Sequence, residues 1–568
     1  MAWKSERNPM FNSPWSESIF YAKYALGERD TWVELAGRLV NEVCEGLMKE
    51  DERYQLYEFI RDMKFIPGGR YLYYAGRGHK FYNNCFLFRS EEDSREDWAR
   101  ISWQAEMALM TGGGIGNDYS RYRGEGSKIK KTGGVASGPV AKMQMINEIG
   151  RHVMQGGSRR SAIYASLDRD HPDIMKFIHA KDWHKIMVPG TNMSIADIKK
   201  AGTSDAMNFP APLDMTNISV NYKTDWLGKE GPNGEFIGEA KDEVFLDNVR
   251  QAMMTGEPGF SFNFFGKENE TLRNACTEIT SEDDSDVCNL GSINMARVSS
   301  LYEFRQIVEL STKFLLCGTL RAELPYPKVN KVRKKNRRLG LGLMGMHEWL
   351  INRNSKYEVT PELHAWLWAY KNVSDETAKK FSKQLSVSTP VACRAIAPTG
   401  SIGILAGTTT GIEPMFAPAV KRRYLRNGTK WHYQYVVEPV AARLADAGGD
   451  PDTIEGAADM AANPERRIRF QADVQDYVDQ SISSTINLPA WGTEGNNEDH
   501  VGHFADLLAR YAPRLRGLTF YPNGSRGGQP LTPVPFAEVR GLTGREYRED
   551  VVAMDVCDIT GNGGTCGS

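Results

Sequence analysis

The spacing of apolar residues over the first 66 positions predicts helices. The segments TWVELAGRLVNEVCEGLMKE and ERYQLYEFIRDM place apolar side chains three and four residues apart, which puts them on one helical face. Pro67, Gly68 and Gly69 then interrupt this pattern. We therefore expect residues 1–66 to form a short helical N-terminal region.

From there to about residue 540, short β-rich runs alternate with helical stretches. The runs include FYNNCFLFRS, TNISVNY, GFSFNFF and RGLTFYP. Alternation over this length predicts an α/β fold with largely parallel strands, either a doubly wound sheet or a barrel. Segments 202–216 and 227–243 are rich in Gly, Pro and polar residues and are expected to be loops. Segment 541–568 ends in VCDITGNGGTCGS and is expected to be a mobile tail.

Composition excludes several classes of protein. The 70 Lys and Arg residues nearly balance the 72 Asp and Glu residues, which argues against direct nucleic-acid binding through bulk charge. The N-terminus lacks the apolar core of a signal peptide and no apolar run is long enough to cross a membrane, so a cytoplasmic protein is expected. The eight cysteines form no CxxC pair, and neither a disulfide scaffold nor a bound metal is predicted. Cys44, Cys317 and Cys393 are expected to pack in the core.

Glycine-rich turns are candidate anion sites, because their backbone N–H groups can converge on one phosphate. None matches a Walker or Rossmann motif. Arg159 and Arg160 add guanidinium groups to one turn, while Thr399 and Ser401 add hydroxyls to another. Tight turns, a surface arginine pair and an ordinary helix cap would account for the same residues. The turns are 111–126, 131–139, 154–162 and 397–414.

The motif RNACTEI carries Asn274, Cys276 and Glu278 at alternate positions. In an extended segment these side chains would share one face. An amide, a thiol and a carboxylate together are a plausible catalytic set, although spacing alone also allows an ordinary exposed loop. Cys85 and Cys288 lie in strand-like runs and would form a redox dithiol if the fold brought them together.

Several motifs follow one another along the chain: NNCFLF, GGGIGNDYSRYR, MQGGSRRSA, HPDIMKFIHAKD, TNISVNY, NACTE, CNLGSINMARV, NRRLGLGLMG, APTGSIGILAGTTTGIEP, STINLP and GLTFYPNGSR. This order is found in the catalytic (alpha) chain of ribonucleotide reductases, which the sequence resembles from about residue 67 to about residue 530. The motifs are most similar to those of the adenosylcobalamin-dependent group, and they also resemble those of minimal chains that a separate subunit serves.

The resemblance implies an α/β fold of a particular kind. Its catalytic domain, here residues 67–540, would be a ten-stranded α/β barrel made of two antiparallel halves of five parallel strands. A finger loop would enter the barrel with NACTE at its tip. The roughly hundred-residue N-terminal ATP-binding domain of many relatives is not expected here, because only 84 residues precede Cys85.

The resemblance also implies the reaction, which is reduction of ribonucleotides to 2′-deoxyribonucleotides. Cys276 would become a thiyl radical that abstracts the 3′ hydrogen of the ribose. Glu278 would remove the 3′-hydroxyl proton, and Asn274 would orient the substrate hydroxyls. Cys85 and Cys288 would supply two electrons and end as a disulfide.

Substrate phosphates would lie on the turn formed by Pro398, Thr399, Gly400, Ser401 and Ile402. A deoxynucleotide effector such as dTTP would bind at a homodimer interface near Asp93, Arg159 and Arg160. Segment 182–216 would carry the effector signal to the substrate base.

The tail pair Cys557 and Cys566 would re-reduce the active-site disulfide and pass electrons from a thioredoxin- or glutaredoxin-type reductant. Eight residues separate these two cysteines, a wider gap than in relatives. Glycines between them would still allow the sulfurs to meet, because the cost of closing a loop grows slowly with its length.

The radical source is left open between two alternatives. Adenosylcobalamin bound directly is favoured, because the sequence has Phe520-Tyr521 where chains with a separate ferritin-like metal subunit usually carry two tyrosines. With such a beta subunit, Tyr521 would relay the radical. Diphosphate and triphosphate substrates both remain possible at this point. A non-catalytic nucleotide-binding barrel and a thiol–disulfide oxidoreductase are the competing functions.

Overall fold

The computed structural model describes residues 7–130, 133–153, 161–200, 209–228, 236–426, 430–525, 531–542 and 545. Within these ranges, helices and strands alternate along most of the chain. The strands are β1 (Phe65–Pro67), β2 (Cys85–Arg89), β3 (Gly114–Asp118), β4 (Ile163–Asp168), β5 (Thr216–Lys223), β6 (Gly259–Asn263), β7 (Leu272–Arg273), β8 (Thr280–Ser281), β9 (Asp286–Asn294), β10 (Leu339–Met344), β11 (Ala419–Arg426), β12 (Lys430–Val437), β13 (Thr485–Leu488), β14 (Gly517–Pro522) and β15 (Leu531–Pro533).

The helices cover the outside of the main sheet. The longest, Leu301–Arg321 and Pro361–Gln384, pack against each other beside β9 and β10. The α-helices are Pro14–Lys23, Trp32–Cys44, Glu50–Arg61, Gly69–Tyr74, Arg95–Met110, Gly138–His152, Ile174–Ile178, Ile195–Lys200, Glu243–Thr255, Leu301–Arg321, Pro327–Asn336, Met346–Ile351, Pro361–Gln384, Gly400–Ala406, Pro439–Asp446, Ala457–Met460, Pro464–Gln475, Val501–Tyr511 and Phe536–Val539.

The first half of the main sheet contains five parallel strands in chain order. β2 pairs with β3, β3 with β4, β4 with β5 and β5 with β6, each in parallel register. All five are almost fully buried, as expected for strands covered on both faces. The prediction that FYNNCFLFRS, TNISVNY and GFSFNFF contain strands is confirmed by β2, β5 and β6.

The second half runs antiparallel to the first and closes the ring. β9 pairs antiparallel with β2, and β14 pairs antiparallel with β6. Between them, β10 is parallel to β9 and β13 is parallel to β14. Two isolated parallel bridges, Leu341 to Arg394 and Ile396 to Ile482, connect β10 to the chain just before β13. The predicted ten-stranded α/β barrel of two antiparallel five-strand halves is therefore confirmed.

Side chains on alternate positions separate an outer core from an inner one. On β10, Leu339, Leu341 and Leu343 pack outward against helices, whereas Gly340 and Gly342 face the inside. A Cβ at position 340 would lie 3.1 Å from Cys288 Sγ, so the glycine leaves room around that thiol. A small apolar cluster occupies the interior: Leu87, Leu272, Ile279, Cys288, Leu290, Ala395 and Ala397.

The N-terminal helices lie against the barrel rather than apart from it. Trp32–Cys44 begins with a capping box, in which Thr31 and Glu34 bond each other's backbone N–H groups. Its buried face joins the same core as β10 and the helix Leu301–Arg321. The prediction of helices in this region is confirmed, except that Phe65 and Ile66 already belong to β1, which pairs with β9.

None of the helices in the described ranges combines the length and the apolar character that crossing a lipid bilayer requires.

Candidate active site

A short hairpin enters the barrel and carries the motif RNACTEI. β7 and β8 pair antiparallel through Leu272 with Ser281 and Arg273 with Thr280, and the residues between them form the tip. Asn217 Nδ2 on β5 donates to the carbonyl oxygen of Ala275 at 2.9 Å. From the other half of the barrel, the backbone N–H of Ser481 donates to the carbonyl of Glu278 at 2.9 Å. The finger loop is thus held from both halves.

Arg273 anchors the base of the finger loop. Its side chain is 1% exposed, and Nη2 donates to Asn263 Oδ1 at 2.7 Å and to the carbonyl of Arg516 at 3.2 Å. Burial, together with the charge of Arg516, lowers the pKa of Arg273 to about 9. The sequence reasoning assigned no role to this residue, although an arginine directly before the three candidate groups was a visible signal.

Glycines on β3 give the finger loop its space. A Cβ at position 116 would lie 1.7 Å from the carbonyl oxygen of Arg273. Because that oxygen belongs to the backbone, no side-chain rotation could relieve the clash. At position 114 the nearest atom would be 3.4 Å away, an ordinary contact. Gly116 therefore permits the close approach of the finger loop to β3.

The tip is a turn and not an extended segment, so the condition under which alternate side chains would share one strand face is not met. The backbone N–H of Thr277 donates to the carbonyl of Asn274 at 2.9 Å, and Thr277 has φ of 69°. Asn274 Oδ1 accepts from the backbone N–H of Ile279 at 2.9 Å. The asparagine amide thus closes the turn, which leaves Cys276 and Thr277 half-buried between fully buried neighbours.

Cys85 and Cys288 are direct partners across the antiparallel junction of β2 and β9. Directly paired residues have Cα atoms about 4.5–5.5 Å apart, which lies within the range that a disulfide spans. Both thiols are free and buried. Asn274 Nδ2 donates to Cys85 Sγ at 3.0 Å, which connects this pair to the finger tip.

The electrostatics of the pair favour neutral thiols. Burial raises the pKa of Cys85 far above its ordinary value, and the nearby Glu278, Cys276 and Cys288 raise it further. Burial also raises the pKa of Cys288, against the opposing charge of Arg338. The influence of Glu278 and Cys276 on Cys85 places all five predicted catalytic residues in one neighbourhood. Glu278 itself is 1% exposed.

The 398–402 turn opens the helix Gly400–Ala406, just after the segment that bridges β10. Thr399 has φ of 51°, and its Oγ1 accepts from the backbone N–H of Gly411 at 2.8 Å. A Cβ at Gly400 would meet no atom within 4 Å, so the space beside this residue is open. Ser401 Oγ accepts from Lys23 Nζ at 3.1 Å, a contact that no motif indicated.

The remaining predicted residues are only partly within the described ranges. Asp93 is exposed and pairs with Arg123 at 2.5 Å. Tyr521 lies on β14, and it shares a strand face with Thr519 because Phe520 packs outward against Phe504. Arg159, Arg160, Cys557, Cys566 and part of the segment 182–216 lie outside the described residues.

One group of side chains in the described ranges has the spacing of metal ligands: Asp375, Cys393 and Asp479. Arg394 Nη1 already pairs with Asp375 at 2.5 Å, and Arg394 Nη2 lies 3.3 Å from Asp479. The guanidinium therefore supplies the positive charge at this position. Cys44 and Cys317, at 0% exposure, and Cys393, at 4%, are buried as predicted.

Comparison with known proteins places these observations in one family. The family model described as the ribonucleotide reductase barrel domain matches residues 83–196, 243–366 and 391–512, more than half of the chain. A vitamin B12-dependent ribonucleoside-diphosphate reductase of Mycobacterium tuberculosis is 28% identical over 523 residues, covering 83% of this chain and 72% of its own. An adenosylcobalamin-dependent ribonucleoside-triphosphate reductase of Mycobacterium phage D29, so named, is 27% identical and covers 90% and 93%.

A solved structure has the same fold. The alpha subunit of a class Id ribonucleotide reductase of Actinobacillus ureae aligns with a TM-score of 0.67 over 90% of this chain and 97% of its own. The two sequences are 16% identical, so this similarity speaks for the architecture alone.

Proposed function

The chain belongs to the ribonucleotide reductase family, and from this premise we propose that it reduces ribonucleotides to 2′-deoxyribonucleotides by thiyl-radical chemistry. The observation that carries the proposal is the meeting of the finger tip with the facing pair Cys85 and Cys288, joined by the 3.0 Å contact from Asn274. A nucleotide-binding protein without chemistry would need neither the facing thiols nor the buried carboxylate of Glu278.

The proposed reaction gives each of these groups a defined step. The thiyl radical of Cys276 takes the 3′ hydrogen of the ribose, and Glu278 accepts the 3′-hydroxyl proton. The 2′-hydroxyl leaves as water, with a proton from the thiol pair. Cys85 and Cys288 give two electrons and two protons in total and form a disulfide. Cys276 then returns its hydrogen to C3′ and regains the radical, and Glu278 returns its proton to the 3′ oxygen. Thus one ribonucleotide and two thiols yield one deoxyribonucleotide, one water and one disulfide.

The burial of the site suits this chemistry. A closed barrel interior excludes water that would quench a radical intermediate. The raised pKa values of Cys85 and Cys288 keep both groups as thiols at neutral pH, so each can deliver a hydrogen together with its electron. Asn274 holds Cys85 through one side of its amide and the finger turn through the other.

The radical source that we propose is adenosylcobalamin, since relatives are named for dependence on it. When bound, this cofactor supplies the organic radical that converts a thiol to a thiyl. The tip formed by Cys276 and Thr277 fits an approach by such a group, because both residues are half-buried while Ala275 and Glu278 on either side are buried. A separate radical-generating subunit acting through Tyr521 is the alternative.

The remaining assignments extend the same proposal. Substrate phosphates would lie on the turn 398–402, and a deoxynucleotide effector would bind near Asp93 between two copies of the chain. Cys557 and Cys566 would return electrons from a thioredoxin- or glutaredoxin-type protein to the 85–288 disulfide. Relatives are named for diphosphate and for triphosphate substrates, and both should be assayed.

The test is an assay of the purified full chain with a dithiol reductant, an effector and ribonucleoside di- and triphosphates, with and without adenosylcobalamin. Deoxynucleotide formed only when the cofactor is present is the expected result. Product formed only after addition of a ferritin-like subunit would replace the cobalamin proposal with the subunit alternative. Nucleotide binding without product under all of these conditions would contradict the proposed activity.

A further inference from the structure

The N-terminal segment contacts both ends of the helix Gly400–Ala406, which follows the proposed phosphate turn and is called the phosphate helix below. Asn12 Nδ2 donates to the carbonyl of Gly407 at 3.3 Å, and Ser16 Oγ donates to the carbonyl of Ile404 at 2.8 Å. At the opposite end, Lys23 Nζ donates to Ser401 Oγ at 3.1 Å. Three residues of one short segment therefore form hydrogen bonds with the helix or with the residue that caps it, almost 400 residues further along the chain.

Two arginines fix this segment in place. Arg297 Nη2 donates to the carbonyl of Ala406 at 3.1 Å and to that of Met10 at 3.3 Å, so it joins the end of the phosphate helix to the N-terminal segment. On the other side, the guanidinium of Arg422 on β11 lies 4.1 Å from the ring centroid of Trp15. Lys23 is the last residue of the helix Pro14–Lys23, and these contacts hold that helix against the proposed substrate site.

The ammonium group of Lys23 lies close enough to Ser401 to interact with a phosphate bound there. A phosphate oxygen bonded to the hydroxyl of Ser401 would lie about 2.7 Å from that oxygen. Since Lys23 Nζ is 3.1 Å from the same hydroxyl oxygen, the ammonium and the phosphate would be separated by less than about 6 Å, close enough for a direct or nearly direct ion pair. A lysine is a compact charge on a flexible stem, which suits an outer phosphate.

We infer that Lys23 is a substrate-binding residue that holds the outer phosphate of the ribonucleotide together with Ser401, which makes the N-terminal helix part of the active site. This inference rests on the proposed function, because it takes the turn 398–402 to be the phosphate site. It adds a charged group to a turn whose own residues are neutral. Since Lys23 would contact phosphate and not base, its contribution should be the same for purine and pyrimidine substrates.

The experiment compares wild type with Lys23→Met and Lys23→Arg in the full chain, under the conditions in which wild type forms deoxynucleotide and at saturating effector. Lys23→Met is expected to raise KM about tenfold or more, the effect of losing one charge-assisted hydrogen bond, while kcat changes by less than about twofold. Lys23→Arg should restore most of the affinity. The rise should be equal for a purine and a pyrimidine substrate.

Calorimetry on the effector-saturated protein compares binding of the nucleotide with binding of the matching nucleoside. This comparison separates the inference about Lys23 from the proposed reductase function. Lys23→Met should weaken binding of the nucleotide and leave that of the nucleoside unchanged. Lys380→Gln, a change at an exposed lysine of the helix Pro361–Gln384, is the control and should match wild type.

An unchanged KM and an unchanged nucleotide affinity in Lys23→Met would overturn the inference while leaving the reductase activity intact. Equal losses of kcat and of nucleoside binding, with a lowered melting temperature and no rescue by Lys23→Arg, would also overturn it in favour of a purely structural lysine. A wild-type chain that binds no ribonucleotide would instead refute the proposed function itself.

Discussion

Cys85 and Cys288 face each other where β2 and β9 pair antiparallel. This contact is one of the two seams where the halves of the barrel meet, the other being β6 with β14. The finger tip reaches this seam through Asn274. The position of the thiol pair at a seam explains how residues from distant parts of the chain come to share one site.

The first prediction concerns the electron source. In a single turnover without external reductant, a variant with Cys557→Ser and Cys566→Ser, whose tail cannot re-reduce the site, should form one disulfide between Cys85 and Cys288, because paired positions across antiparallel strands satisfy disulfide geometry. Peptide mapping under non-reducing conditions checks this. Cys317→Ser, a change at a buried thiol in a helix outside the barrel, is the control and should still form the 85–288 bond. Turnover with both thiols still free would contradict the assignment.

The second prediction concerns the finger turn. Asn274→Ala removes the acceptor for the N–H of Ile279 and the donor to Cys85. Leaving a buried N–H without its partner should cost about 1–3 kcal/mol of stability, measured by denaturant unfolding. Displacement of Cys276 and Glu278 by even about 1 Å should lower kcat about 100-fold. Wild-type activity in this variant would show that the turn does not depend on the amide.

The third prediction uses two glycines of one strand. Gly116→Ala should abolish activity, since its Cβ would overlap the backbone of Arg273 and push the finger loop away. Gly114→Ala adds the same methyl group to the same strand, but there the methyl group would make only ordinary van der Waals contacts. This variant should retain activity within a few-fold. Comparable rates for the two variants would argue against close packing of the finger loop on β3.

Part of this arrangement was predictable from the sequence and part was not. Alternating strand and helix patterns predicted an α/β fold. Closure of the barrel, however, depends on isolated bridges at Leu341 and Ile396, and single bridges are too short to give a strand pattern in the sequence. The sequence could not show that Cys85 and Cys288 lie opposite each other, because 203 positions separate them and only the tertiary fold brings them together.

At the site itself, the residue types were predicted and the local geometry was not. The alternate spacing of Asn274, Cys276 and Glu278 would place them on one face only in an extended segment, but the Asn274 side chain bonds the backbone N–H of Ile279 and stabilises a turn. Lys23 was missed because its contact with Ser401 joins residues 378 positions apart and Lys23 itself lies outside every motif.

The fourth prediction concerns pH. Because the pKa values of Cys85 and Cys288 are raised, both remain neutral thiols at pH 8, and only the thiolate is a nucleophile. Their alkylation by iodoacetamide in the folded protein should therefore be slow at pH 8 and accelerate only as the pH rises well above 9. Mass spectrometry of time points gives the rate for each cysteine. Half-maximal rates below pH 8 at either position would contradict the assigned direction of the shift.

The most direct test of the central claim is deoxyribonucleotide formation by Cys276→Ala beside wild type, with adenosylcobalamin, dithiol, effector and ribonucleotide all present. We expect the variant to bind the ribonucleotide as wild type does and to form no product, because no other sulfur at the finger tip can carry the radical. Deoxyribonucleotide released by Cys276→Ala would contradict the role proposed for Cys276.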